Sequence, residues 1–327
     1  MMKKGYVLPI KVAVSGGLLY LLFRGMDLKT FWETVSSVSY TTLLVILLLL
    51  ICIQTLSTLR WHTILNKDYR MPFPRLLSTY FIGMYFNNFL PTLVGGDLVK
   101  AYYIYRESGK GGVSLASIFL DRYSGFTALM ALTAVATYAG YPLVRGSSIL
   151  WLLLFLLGSF TVLSLIIWID LFHGWAVRIL TGVRLFGINR KVDTFYRALM
   201  GYRGERAILI KTFSLSLVIQ GGVIFGYYLL SRAIGMEMPL NYFFIFVPLA
   251  TVVAMLPFSL AGLGIREGAF VFLFAKAGGT SAEAMSVSLL FFFTTVIVSL
   301  IGGVEYIRRG SVSMKNVDAL AATEGEQ

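Results

Sequence analysis

The chain has 327 residues, is 57% hydrophobic and only 13% charged, and has a mean hydropathy of +0.78. Soluble domains are nearer a quarter charged, so the composition excludes an ordinary soluble globular protein and points to a polytopic membrane protein. The single cysteine, Cys52, excludes an intrachain disulfide or a thiolate metal cluster, and the net charge of +12 is spread over loops with no nucleic-acid recognition module.

In chain order, the first apolar run covers residues 9–23. It lacks an Ala-x-Ala-like cleavage site and is followed by Arg24, so it reads as a retained helix and not a signal peptide. A short amphipathic stretch, 27–39, leads into a helix over 41–60 and a loop carrying Arg60, Lys67, Arg70 and Arg75. Residues 86–106 then interrupt the apolar pattern with Asn87, Asn88, Pro91, Gly95, Gly96, Asp97 and Lys100. Proline removes a backbone donor and paired glycines permit a turn, so this segment predicts two half-helices meeting at a break. Further helices are expected over 113–139 and 149–169. A basic segment follows over 170–211, then a helix over 212–230. Residues 242–276 repeat the broken grammar: Leu256-Pro257, then Gly262 and Gly264, then Arg266-Glu267 at a new helix start. The last helix is expected over 284–307.

The expected fold is therefore all-α and polytopic: about six full transmembrane helices plus two oppositely oriented re-entrant, broken-helix hairpins, arranged like an inverted repeat. One integral membrane domain covers 1–310, and the polar tail 311–327 is expected to be disordered. With a cytoplasmic N-terminus, Arg24, Lys29, Arg145, Arg232 and Lys276 fall outside, Arg122 and Arg266 lie at membrane depth, and the rest of the 28 Lys and Arg are cytoplasmic. That asymmetry places both termini in the cytoplasm; it fits a hairpin or a pair of full spans at each break equally, and the short runs beside the breaks favour hairpins. In 170–211, basic and apolar residues alternate, which suits either helices lying on anionic lipid at the cytoplasmic face or a loop that merely fixes orientation.

Broken hydrophobic segments in corresponding halves mark transporter binding sites, and ionisable residues at membrane depth are costly unless paired. The candidate headgroup-binding residues are Asn87, Asn88, Gly95, Gly96, Asp97, Lys100, Asp121, Arg122, Gly262, Gly264, Arg266 and Glu267. Adjacent helical residues point about 100° apart, so Asp121 and Arg122 need separate partners. Arg122 is expected to approach Asp97 or Glu267, and Asp121 to approach Lys100 or Arg266. Asp97 is also placed to cap its half-helix. Gln220 reads as a helix–helix hydrogen bond, and Glu305 as neutralised by Arg308 and Arg309. His62 and His173 have no partner at metal-ligand spacing, and no P-loop or nucleophile elbow is present, so no cofactor and no metal site is expected.

Three blocks together, Asn87-Asn88-Phe89-Leu90-Pro91 with Gly95-Gly96-Asp97 and Lys100-Ala101-Tyr102, Asp121-Arg122 with Gly125, and Gly262-Leu263-Gly264 with Arg266-Glu267-Gly268, resemble the flippase-like transmembrane domain of lysylphosphatidylglycerol synthase in its stand-alone form, without the soluble aminoacyl-transfer domain. The resemblance covers about residues 10–308. It implies a prokaryotic cytoplasmic-membrane protein that moves or binds a lipid with an anionic or aminoacylated headgroup, of phospholipid or polyprenyl-phosphate type, and is not itself an enzyme. A membrane enzyme acting on a lipid carrier, or a non-transporting scaffold docking a partner through 170–211, are the alternative readings.

Overall fold

A computed structural model of the protein describes residues 16, 17, 20–22, 24, 28–89, 95–168, 188–255 and 262–309. The elements in order are α1 (Leu28–Ser36), α2 (Tyr40–Leu65), α3 (Phe73–Phe89), α4 (Gly95–Ser108), α5 (Gly111–Ala139), α6 (Tyr141–Val144), α7 (Ser148–Trp168), α8 (Ile188–Met200), α9 (Arg206–Ala233), α10 (Leu240–Ala254), α11 (Ile265–Ala275) and α12 (Ser281–Arg309). There is no strand among the described residues. Most of the first apolar run, both breaks (90–94 and 256–261), residues 169–187 and the tail lie outside them.

Helices α2, α7, α9 and α12 are long and apolar enough to cross a membrane. Helix α5 matches them in length, at 29 residues, but carries Asp121 and Arg122. Caps fix several starts. Ser39 accepts the Thr42 amide at 3.2 Å to open α2. Thr280 and Glu283 exchange side-chain and backbone bonds at the head of α12, in a capping box. The largest departures from the expected element boundaries are in α2 and α9. Helix α2 continues past residue 60 to Leu65, because Trp61, Ile64 and Leu65 are all buried and extend its apolar face. Helix α9 begins at Arg206, inside the stretch expected to be interfacial. Within that stretch α8 docks on α5, with Phe195 edge-on to Phe119 at 5.7 Å and Leu199 buried.

Four shorter helices, α3 with α4 and α10 with α11, form two pairs. At 1.5 Å per residue, even the 17-residue α3 spans only about 25 Å, less than a hydrocarbon core of roughly 30 Å. Helices α3 and α4 run antiparallel: Asn87 meets Gly96, and Gly83 meets Lys100. Helices α10 and α11 do the same, with Gly262 against Ala254 and Phe246 against Phe274. Each pair is a hairpin.

The packing has an internal repeat, α2–α5 followed by α9–α12. The same spacing separates Gly95 from Gly111 as separates Ile265 from Ser281, and α5 and α12 have equal lengths. Helix α5 packs on α4 of its own hairpin and on α10 of the other; α12 packs on α11 of its own hairpin and on α3 of the other. At the centre α2 and α9 cross antiparallel, with Ile53 against Gly222 and Leu49 against Gly226, so the two repeats run in opposite directions.

Small residues set the closest contacts, as they do where helices must approach in lipid. A Cβ on Gly302 of α12 would sit 1.9 Å from the Phe81 carbonyl oxygen of α3. Gly302→Ala is therefore expected to cost at least about 1–3 kcal/mol through overpacking. Gly221→Ala, whose Cβ would meet open space, should leave stability unchanged or raise it by roughly 0.5–1 kcal/mol. Thermal unfolding of both variants in detergent measures the difference.

Candidate functional site

The first hairpin closes through a tight contact. Asn87 Oδ1 accepts the Gly96 amide at 2.9 Å, and a Cβ on Gly96 would lie 1.9 Å from the Gly83 carbonyl oxygen. Gly96 is thus required for close approach. Left-handed backbone is instead found in the second hairpin, at Gly262 (φ 79°) and Gly264 (φ 84°). The cap expected from Asp97 is replaced by Asn87 reaching across the turn, which leaves the Asp97 carboxylate for cations. Arg122 of α5 donates to it twice, Nε to Oδ2 at 2.8 Å and Nη2 to Oδ1 at 3.0 Å, and Lys100 Nζ stands 3.5 Å from Oδ1. Such a fork is the stronger, orienting form of a charge-assisted bond. Lys100 itself is buried, folded against Gly83 with its ammonium 3.7 Å from the centre of the Tyr80 ring and 5.7 Å from that of Trp61.

Asp121 is bound neither by Lys100 nor by Arg266. Its partner is Arg60 of α2, Nε to Oδ1 at 2.8 Å, and Arg60 Nη1 donates onward to Ser216 Oγ of α9 at 3.0 Å. Arg60, assigned above to a cytoplasmic loop, is buried inside the helix bundle. The sequence holds one signal for it: the apolar spacing of α2 continues past Arg60, which places that charge on a packed turn. Gln220 of α9 donates to the Gly125 carbonyl of α5 at 3.2 Å, a helix–helix bond as expected. Around these groups lies a cavity of about 80 Å³, lined by Arg60, Arg122, Gly125, Gln220, Thr251 and Met255 among others. Thr251 and Met255 belong to the end of α10, beside the second break, so the cavity joins one hairpin's charge partner to the other hairpin's first arm.

The second hairpin's charges form their own closed group. Glu267 Oε2 accepts the Gly264 amide at 2.7 Å. Its Oε1 takes Arg266 Nη2 at 2.5 Å and Ser288 Oγ of α12 at 3.0 Å. Arg266 Nε also reaches Ser288 Oγ at 3.0 Å, and its guanidinium lies 5.0 Å from the centre of the Phe292 ring. Although neighbours in a helix diverge, the long Arg266 side chain doubles back at the first turn to meet its neighbour. Under the repeat, Glu267 corresponds to Asp97 and Phe292 to Arg122. The charges of the two hairpins thus form separate groups, Arg122 and Lys100 on Asp97 in the first and Arg266 on Glu267 in the second. The Arg122 side chain is 44% exposed, whereas Arg266 is 13% exposed and Glu267 fully buried. Asn88, also a candidate, has its Nδ2 buried without an acceptor among the described residues.

Paired antiparallel hairpins, spanning helices and charges bound at membrane depth define an integral, polytopic all-α membrane protein. The family model described as the lysylphosphatidylglycerol synthase TM region matches residues 9–303, and the chain belongs to that family. It is similar to two proteins of Methanothermobacter thermautotrophicus, both described as UPF0104 membrane protein. One is 26% identical over 286 residues, covering 78% of this chain and 80% of the relative. The other is 27% identical over 301 residues, covering 82% and 86%.

Removing Arg60 leaves Asp121 as a buried unpaired charge, so Arg60→Met is expected to cost about 3–5 kcal/mol or block assembly. The double variant Arg60→Met with Asp121→Leu should recover most of that loss. A double-mutant cycle on thermal unfolding reads the coupling.

Proposed function

We propose that the protein translocates a lipid with an anionic headgroup across the membrane, binding that headgroup in the cavity between Arg60 and Arg122. The observation that carries this reading is the state of Arg122. Its Nε and Nη2 hold Asp97, its Nη1 has no hydrogen-bond partner among the described residues, and the side chain is partly open on a cavity that also receives Arg60. A guanidinium binds phosphate with the same fork it offers a carboxylate. A headgroup phosphate can therefore compete for Arg122 while Lys100 keeps Asp97 paired. Two antiparallel repeats around one cavity supply the moving halves that alternating access requires. The carboxylates held at depth, Asp97, Asp121 and Glu267, are all engaged by cations, which favours transport over a group-transfer reaction needing a free base.

The same reading places both termini in the cytoplasm, with the basic ends of the first hairpin and α12 (Arg70, Arg75, Arg106, Arg308, Arg309) on that side. Arg60 and Lys100 leave the cytoplasmic count for the buried one, and the asymmetry survives their removal. Helix α8 would lie along this face, near anionic headgroups.

Reconstituted in vesicles carrying a fluorescent anionic phospholipid, the wild-type protein is expected to speed exchange between leaflets. Arg122→Ala should reduce the rate to that of protein-free vesicles, and Arg122→Lys should restore little of it, since an ammonium lacks the fork. Wild-type vesicles no faster than empty ones would refute translocation. With Cys52 replaced by Ala, cysteines at Arg70 and at Ser147 should react with an impermeant maleimide from opposite sides of intact cells or spheroplasts, Ser147 from outside.

A further inference from the structure

The charges around the cavity do not balance. Among the described residues, Arg60, Lys100 and Arg122 face Asp97 and Asp121, and no other charged side chain joins them: Asp121 is held by Arg60, and Asp97 by Arg122 and Lys100. The remaining polar lining, Gln220, Thr251 and nearby Ser216, is neutral. Glu267 is fully engaged with Arg266, Ser288 and the Gly264 amide. The cluster carries one uncompensated positive charge in a place where an uncompensated charge is costly.

We infer that the cavity selects a lipid whose headgroup carries a single negative charge on a phosphodiester, and that it discriminates against an aminoacylated headgroup. The inference rests on the headgroup-binding reading above and names the substrate class within it. A phosphodiester brings one negative charge and neutralises the site. A phosphomonoester, with a second ionisation near pH ~6, is mostly a dianion at neutral pH and leaves a net negative charge behind. An aminoacyl ester brings an ammonium group, and every carboxylate at this depth among the described residues is already bound by a cation. An ammonium would find only neutral acceptors in the lining, such as the Gln220 amide oxygen and the Thr251 hydroxyl, and would add to a positive charge already in excess.

The test is native mass spectrometry of the full chain, incubated with equal amounts of phosphatidylglycerol, phosphatidic acid and lysyl-phosphatidylglycerol. The expected result is phosphatidylglycerol adduct exceeding each of the other two by ~tenfold or more, with the preference lost in Arg122→Ala. Lysyl-phosphatidylglycerol or phosphatidic acid bound as well or better overturns the inference. So does a preference unchanged in Arg122→Ala, or no lipid bound at all. Asp97→Asn raises the cluster to two uncompensated positive charges and should shift the preference towards phosphatidic acid; an unshifted preference in a folded Asp97→Asn protein counts against the charge-balance argument. Selective binding with no exchange between vesicle leaflets would leave this inference standing and defeat translocation, so the two failures are distinct.

Discussion

Charge buried at membrane depth has to find its counter-charge inside the protein, and here that requirement ties the helices together. Helix α5 carries two adjacent ionisable residues that diverge around its axis, and each recruits a different element. Asp121 draws in Arg60 from α2 and, through it, Ser216 of α9; Arg122 draws in Asp97 from the first hairpin. These two bonds cross-link α2, α9 and the first hairpin to α5 around the cavity, on top of the apolar packing between the helices. Lys100, set against the Tyr80 ring and filling the space that the missing side chain of Gly83 leaves, completes the arrangement from within the hairpin.

The repeat gives this arrangement a counterpart and shows where the halves have diverged. Each second arm begins with a carboxylate, Asp97 or Glu267, that needs a guanidinium. In the first half the guanidinium comes from the long helix, at Arg122; in the second it comes from the arm itself, at Arg266, and rests over Phe292 where the long helix has lost its arginine. One solution leaves a cation partly open on a cavity. The other seals its cation behind Ser288 and an aromatic ring. The fold repeats, and among the described residues the partly open guanidinium is found in the first half.

Much of this architecture could be read from residue order. Long apolar runs gave the spanning helices because lipid permits few alternatives, and Pro91 with Gly95-Gly96 and Pro257 with Gly262 and Gly264 marked both hairpins. Charged letters inside apolar runs identified Asp97, Asp121, Arg122, Arg266 and Glu267 as residues that must be paired. Their pairings were less legible, because partner choice depends on how each helix is rotated about its axis. Arg122 with Asp97 was one of two options, while Asp121 with Arg60 was missed because Arg60 stands at the expected end of an apolar run. Asn87's cross-hairpin cap could not be anticipated for a similar reason: a local cap from Asp97 is the simpler reading until Arg122 claims that carboxylate.

Helix α7 stands apart from this network. It belongs to neither repeat, it touches the bundle mainly along α5, and Trp151 and Phe155 are largely exposed, as lipid-facing side chains are. Its importance is one of parity. The first repeat contributes two crossings and a hairpin, which would start an identical second repeat on the same side and in the same direction. One additional crossing starts it on the opposite side, and α2 and α9 then meet head to tail. The inverted symmetry of the molecule is thus conferred by a helix that contributes little to its packing. Its specific contacts are confined to one narrow face, with Ile149 and Leu153 buried against the core, Phe160 stacked on Tyr123 and the Trp168 indole donating to the Tyr123 hydroxyl at 2.9 Å; elsewhere the parity role asks of α7 only length and hydrophobicity.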